Sequence, residues 1–358
     1  MSRSPASSIR SLIPWGARAR RFTRAALALL FAGTGILALA GCAGSEERAA
    51  VDDRNVHSMQ TSHAAVGSSG RPLSSVYDRE VLEPFGIDWQ RFEGPRGDWQ
   101  NLDRSGLALR SASALIVDDR SNKLYAKNAG HIQPIASITK LMMAMVVLDA
   151  AVSMETPIRI IEDDRDRLKN SSSRLRIGEA RLPRGEMLMV ALMSSDNRAA
   201  HALGRTTFKG GTSAFIQAMN RKAQALGMND TRFVDPTGLD PRNRSTAEDL
   251  VKMVRAASRY PFIRKSTSRG EMTLYPHADG SPLKYRNTNP LVRSPDWAVE
   301  VSKTGYIKES GNCLVMQTRI NNRSLYMVFL GANGKQNWVG DSKRVRDWIV
   351  TGNQTASR

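Results

Sequence analysis

A serine that attacks a carbonyl needs a base within reach, and one segment of this sequence supplies both. Ser137-Ile138-Thr139-Lys140 places a hydroxyl and an amine three residues apart. On a helix that spacing puts both groups on one face, and a helix N-terminus adds free N–H groups and partial positive charge beside the nucleophile. The lysine can act as base only when neutral, a state that burial and a nearby second cation both favour. Two further clusters could complete such a site. Ser195-Asp196-Asn197 offers a second hydroxyl and an amide. Lys303-Thr304-Gly305 offers a cation, a hydroxyl and a glycine that lets a ligand carboxylate approach the backbone closely.

None of the three is specific alone. With ordinary serine and lysine frequencies about one S-x-x-K is expected by chance in a chain of this length. A second one does occur, at Ser281-Pro282-Leu283-Lys284, but it has proline in second place and no apolar helix after it. Ser310-Gly311-Asn312 is a rival for the second cluster, and Asn197 could equally cap a helix end or a turn. An isolated K-T-G is most often a surface turn. The ordered set is more telling: 58 residues separate Ser137 from Ser195, and 108 separate Ser195 from Lys303.

The elements that must position these groups run from about Ser105. SALIVDDRSNKLYAKN predicts two short strands joined by a turn at Asp119-Arg120-Ser121-Asn122. Ser137 to Ala150 is apolar nearly all round after its first turn, the pattern of a helix buried on every side. Pro183 suits the first position of a second helix running towards Ser195. Ser245-Thr246-Ala247-Glu248 reads as a capping box opening a third. The stretch Trp297 to Ser302 predicts a strand ending at Lys303-Thr304-Gly305. CLVMQTRI and RSLYMVFL flank Asn321-Asn322 as a β-hairpin, and Ser342 to Val350 closes the chain as a helix. Strands at both ends with helices between them predict an α+β fold: a mostly antiparallel β-sheet flanked by helices, plus a helical lobe.

Composition bounds what surrounds this domain. The chain has 358 residues, 52 lysines and arginines against 34 acids, and a formal charge of +18. Residues 1–42 contribute +6 of that with six arginines and no acid, residues 43–110 contribute −3, and residues 111–358 contribute +15. The first 42 residues read as an address. Arg18, Arg20, Arg21 and Arg24 precede an uncharged run from Ala25 to Ala40, a basic region and an apolar core too short to span a bilayer. Leu39-Ala40-Gly41-Cys42 then resembles the lipobox of bacterial lipoprotein precursors, which implies lipidation of Cys42; cleavage after Ala38-Leu39-Ala40 is the alternative. Residues 1–41 are therefore expected to be a signal peptide, residues 42–104 a tether and a segment of undecided fold, and residues 105–355 the catalytic domain. The expected location is outside the cytoplasm, in the periplasm, with a lipid anchor and outer-membrane sorting compatible with Ala43. Two cysteines and five histidines without metal-binding spacing predict neither a structural metal, a cofactor, nor a disulfide framework. Dispersed basic residues and 6% aromatics argue against nucleic acid as partner. Cys313, His131 and His201 are read as packing or surface residues.

S-x-x-K, S-D-N and K-T-G in that order form the motif set of penicillin-binding proteins and class A β-lactamases. The flanks PIASITKLMMAM, MSSDNRAAHALG, FVDPTGLDPRNRSTAEDL and SKTGYIKESGNCLVM resemble the low-molecular-mass penicillin-binding proteins, most closely their D-alanyl-D-alanine endopeptidase branch, over about residues 105–350. The resemblance implies a DD-peptidase/β-lactamase-like serine fold acting on cross-linked peptides of peptidoglycan, with β-lactams as covalent inhibitors. It implies Ser137 as nucleophile, Lys140 as general base, Ser195 as proton relay and Asn197 as holder of Lys140 and the substrate amide. Lys303 and Thr304 would bind the substrate carboxylate, and the N–H groups of Ser137 and of Tyr306, which follows Gly305, would form the oxyanion hole. Class A β-lactamases add a glutamate in an E-x-x-x-N motif, and the corresponding stretch here, GMNDTRFVDPTGLD, has none. Carboxypeptidase relatives carry an extra C-terminal β-domain, whereas 53 residues follow Gly305 here, about what a hairpin and one helix use. The expected activity is thus hydrolysis of D-alanyl-diaminopimelate cross-links. D-alanyl-D-alanine carboxypeptidase is the alternative, followed by a β-lactamase and a cell-wall-binding lipoprotein without catalysis.

Overall fold

The computed structural model describes residue 99, residues 102–334 and residues 336–356. Cys42, the expected signal peptide and most of the expected tether lie outside these residues.

One hairpin and one three-stranded meander build the main sheet. β1 (Ser113–Asp118) and β2 (Lys123–Lys127) are joined through Asp118, whose carboxylate accepts from the N–H groups of Arg120 at 2.9 Å and Asn122 at 2.7 Å. β3 (Ala298–Ile307), β4 (Gly311–Ile320) and β5 (Arg323–Ala332) follow near the other end of the chain. Asn321 and Asn322 turn between β4 and β5 with φ of 47° and 60°, the left-handed pair that a two-residue hairpin loop requires. The order β2-β1-β5-β4-β3 is antiparallel throughout, with β1 paired to β5 from Ser113↔Leu330 to Asp118↔Leu325. The two ends of the domain therefore close the sheet, as the sequence predicts.

Both faces of that sheet are covered, and alternate residues serve different cores. Leu115, Val117, Val315, Val328 and Leu330 point into the helical lobe. Ala114, Ile116, Leu314, Met327 and Phe329 point the other way, onto Val345 and Ile349 of the last helix. The lobe is organised around α1 (Thr139–Asp149), in which every residue from Thr139 to Val147 is buried. It packs against α2 (Arg184–Met193), α3 (Asn197–Thr207), α4 (Gly211–Ala225) and α5 (Ala247–Ala257). α6 (Pro261–Ser268) lies between α2 and β3, and α7 (Asn337–Ala356) covers the far face.

Four local expectations shift. Pro183 ends a short strand (Arg181–Pro183) and caps α2 instead of occupying its first turn. Ser245 is drawn into a ribbon with Gln133, so Thr246 becomes the cap of α5, its hydroxyl accepting from Asp249 N–H at 3.1 Å, while Glu248 pairs with Lys123. Lys303-Thr304-Gly305 lies inside β3, because pairing with β4 continues to Ile307↔Gly311. α7 starts five residues ahead of Ser342, bringing Trp338 into the second core. That core also takes in Trp99 and Leu102, ahead of the Ser105 start read from the sequence.

Candidate active site

The serine stands at a forced corner. Gln133–Pro134 pairs with Arg244–Ser245, and Ile135 N–H donates to Asn243 O at 3.1 Å, which ties the incoming strand down. Ala136 then takes φ 48°, a conformation that costs an alanine energy, and Ala136–Ile138 makes one tight turn before α1. Two glycines hold this corner from opposite sides. A Cβ on Gly305 would meet Ser137 N at 2.9 Å, and one on Gly238, itself at φ 83°, would meet Ala136 O at 1.9 Å. Glycine is thus the residue both positions admit.

Within this clamp Lys140 is wholly buried and makes three hydrogen bonds. Its ammonium donates to Ser137 Oγ at 2.8 Å, Asn197 Oδ1 at 2.7 Å and the Thr237 carbonyl at 2.6 Å. Burial pushes its pKa down to about 7, against the upward pull of Asp235, Asp196 and Asp166. A base within hydrogen-bond reach and half deprotonated near neutrality meets both demands of general-base catalysis.

Ser195 occupies the corner between α2 and α3 at φ 63°. Asp196 caps α3, accepting from Ala199 N–H at 3.0 Å and from Ser173 Oγ at 2.7 Å. Burial raises the pKa of this carboxyl, and its hydrogen bonds and Lys140 oppose the rise. The capping role open to Asn197 in the sequence thus belongs to its neighbour. Asn197 instead bridges Lys140 and Ser171, donating to Ser171 Oγ at 2.7 Å.

Lys303 takes a different place from the one expected. It is buried behind Ser195, donating to Ser195 Oγ at 2.9 Å and to the Thr304 carbonyl at 2.9 Å, and it does not line the cleft. Burial first and Lys140 second push its pKa well below the lysine range. The repulsion is mutual, so Lys303 is the second cation that the sequence expects to favour neutral Lys140. Thr304 does line the cleft, its hydroxyl 2.6 Å from that of Thr288. Gly305 and Tyr306 line it too, beside Ser137, Ser195 and Asn197, in a cavity of about 690 Å³.

Several contributors carried no motif. Thr237 acts through a backbone carbonyl, and Asp235 shapes its loop. The Asp235 carboxylate accepts from Thr237 N–H and Oγ1, Gly238 N–H, Asp240 N–H and Asn243 Nδ2, at 2.6 to 3.0 Å. The spacing Asp235-Pro236-Thr237-Gly238 is itself an Asx-turn signal that could have drawn attention to this loop. Other candidates stay out of the site. Cys313 is buried in β4 with its thiol pushed up to about 11, and His201 holds Asp164 at 2.9 Å. His131 is exposed, and Ser281 and Lys284 belong to a separate surface ribbon.

Comparison with known proteins agrees with this geometry. Residues 100–334 match the family described as D-alanyl-D-alanine carboxypeptidase. The chain is 43% identical over 249 residues to a D-alanyl-D-alanine endopeptidase of Pseudomonas aeruginosa, covering 69% of this chain and 80% of that one. It is 44% identical over 246 residues to a D-alanyl-D-alanine endopeptidase of Escherichia coli, covering 68% and 78%. Its structure is similar to that of a penicillin-binding protein of Listeria monocytogenes in a cefotaxime-bound form, with a TM-score of 0.60 and 26% identity over 68% of this chain and 99% of that one.

Proposed function

The chain belongs to the D-alanyl-D-alanine carboxypeptidase family of serine peptidases, and from that premise we propose that it is an endopeptidase opening D-alanyl cross-links of peptidoglycan through a Ser137 acyl-enzyme. The observation that carries the reading is the Lys140 ammonium, 2.8 Å from Ser137 Oγ with a pKa brought down to about 7. Neutral Lys140 takes the hydroxyl proton as Ser137 Oγ bonds to the D-alanyl carbonyl carbon. The oxyanion forms against the N–H groups of Ser137 and Tyr306. Ser195 passes a proton to the departing amine, and Lys303 behind it orients that hydroxyl. Thr304 receives the substrate carboxylate. Water then attacks the acyl carbon, its proton returns through Lys140, and Ser137 is freed. A β-lactam would stop at the acyl stage.

Cleavage of cross-links is favoured by the two relatives, each an endopeptidase by name, above 40% identity. Purified protein incubated with cross-linked muropeptide dimers is expected to release monomers, and Ser137→Ala is expected to abolish release. Loss of terminal D-alanine from pentapeptides, with dimers untouched, would favour the carboxypeptidase instead. A β-lactamase reading gains no support, since Asp235, the carboxylate that acts on Lys140 from the stretch where class A enzymes carry their glutamate, has its oxygens occupied by five donors. Export and lipidation of Cys42 complete the proposal, with the enzyme tethered to a membrane outside the cytoplasm. Palmitate labelling that persists in Cys42→Ala would overturn the anchor.

A further inference from the structure

The cleft is longer than acyl transfer requires. Its cavity of about 690 Å³ begins at Ser137, Ser195 and Asn197 and continues past Tyr306 to Asn333 and Trp338. Such a volume suits a whole drug-sized ligand, whereas the groups that meet a D-alanyl bond all stand at the first end. The second end has a construction of its own. Tyr306 of β3 stands opposite Asn312 of β4, and Asn312 opposite Ala332 of β5, so the three form one row across the sheet. Neighbouring strands lie about 4.8 Å apart, so this row spans about 10 Å, the length of three extended residues.

The row is bounded by the Tyr306 side chain, 64% exposed, and by Trp338 in the first turn of α7. Asn312 gives its amide nitrogen to the Ala332 carbonyl at 3.2 Å, which leaves its amide oxygen as an acceptor on the cleft. Lys308 also lines this end. The neighbouring carboxylate, Glu309, is engaged by Lys169 at 2.5 Å, and no described carboxylate lies within ion-pair distance of Lys308. A row of peptide length with aromatic walls, an acceptor for N–H and one cation outside any described ion pair fits a short peptide that carries a carboxylate.

We propose that this cross-sheet extension is a binding subsite for a stem-peptide arm bearing a free carboxylate. The carboxylate sits on Lys308, a backbone N–H of the arm faces Asn312, and its aliphatic part lies between Tyr306 and Trp338. The proposal rests on the reading of the chain as a peptidase of peptidoglycan peptides, and it adds which chemical feature of the substrate is recognised away from the scissile bond.

The test compares wild type, Lys308→Gln and Asn333→Trp, the last filling the far end from an exposed position. Substrates are muropeptide dimers with free carboxylates and the same dimers with those carboxylates amidated; acylation by benzylpenicillin reports on the reacting end alone. Lys308→Gln is expected to raise KM about fivefold for the free-carboxylate dimer and to leave the amidated one unchanged. Asn333→Trp is expected to lower kcat/KM at least about tenfold for both dimers. Both variants should acylate within about twofold of wild type. Equal KM for wild type and Lys308→Gln on the free-carboxylate dimer, or equal losses on dimer and penicillin, would overturn the subsite. If wild type releases only terminal D-alanine, the endopeptidase reading falls. The same comparison on pentapeptides then decides the subsite: a carboxylate-dependent rise in KM supports it, and its absence overturns it.

Discussion

The same four-residue pattern occurs in two regions of this molecule and does two different things. Ser137 and Lys140 bracket the first turn of a helix buried on all sides, and their side chains meet at 2.8 Å. Ser281 lies in the connection, and Lys284 on the second strand, of a two-stranded surface ribbon, where Lys284 pairs with Glu271 at 2.7 Å and both side chains are about half exposed. In water an ammonium paired with a carboxylate contributes little. In the lobe the same ammonium has lost its water, has hydroxyl, amide and carbonyl acceptors but no contacting carboxylate, and gives up its proton near neutrality. The pattern supplies the groups, and burial supplies the chemistry.

The largest contrast should come from removing each lysine. Lys140→Ala is expected to slow acylation by labelled penicillin at least about a thousandfold, because among the described residues no other side-chain base reaches Ser137. Lys284→Ala should acylate within about twofold of wild type. A Lys140→Ala protein that still labels at a tenth of the wild-type rate would dissolve the distinction between the two regions.

A smaller effect should follow from moving the corner without touching a reacting group. In Gly238→Ala the new methyl must displace the Ala136 carbonyl, which it would meet at 1.9 Å, and the backbone must hold φ 83° with a side chain present. Misplacing the serine by about 1 Å costs about a hundredfold in rate. Gly280 precedes the other motif at φ 67° with open space around its Cβ, so Gly280→Ala is strained only locally and should leave acylation intact. Equal acylation rates in the two alanine variants would remove the clamp from the account.

How much of this was legible beforehand follows from what kind of group is involved. Ser137, Lys140, Ser195 and Asn197 are side chains at fixed spacings, and sequence displays such groups directly. The apolar run after Ser137 foretold that Lys140 would be dry, and Asn321-Asn322 foretold the hairpin that carries β4 to the cleft. Thr237 contributes a carbonyl that every residue type possesses, so nothing in its identity marks it. Gly238 and Gly305 matter through what approaches them from 102 and 168 residues away in the chain, a matter of topology. Lys303 was recognisable as a site lysine, but its place behind Ser195 depends on β3 running on to Ile307. The cap of α5 moved by one residue because Ser245 was needed in a ribbon. Local signals lose where a long-range pairing claims the same residue.

The buried lysine should also make stability respond to pH. Folded Lys140 loses its proton at about 7, whereas an unfolded lysine keeps it to near 10.5. Below pH 7 both states are protonated and the fold bears the full cost of the buried charge. Between those values the unfolded chain binds more protons, so stability should rise with pH, by at most about 1.4 kcal/mol per pH unit from this group. Lys303, depressed in the same direction, adds to the trend. Urea midpoints measured from pH 7 to 9 should climb in wild type and climb less in Lys140→Met. Acylation should rise over the same range with a midpoint near 7. An identical slope in Lys140→Met would mean that the buried amine is charged in the folded state across that range.

The smallest effect is expected where the pattern is idle, and it bounds the comparison from below. Glu271→Gln removes the partner of Lys284, but the pair is solvated, and Arg286 stands at 3.6 Å from the same carboxylate. The loss should be within about 0.5 kcal/mol and should shrink further in 0.5 M salt, as screening weakens exposed pairs. Asp235→Asn gives the matching measurement beside Lys140. It removes one carboxylate that holds the amine's pKa up and weakens five hydrogen bonds that shape the Thr237 loop. Its stability loss should exceed that of Glu271→Gln by at least about 1 kcal/mol and be less sensitive to salt, because these bonds are partly buried and five in number. Equal, salt-sensitive losses in the two variants would place both carboxylates on the surface in energetic terms, and the burial that separates the two regions would have to be sought in Lys140 alone.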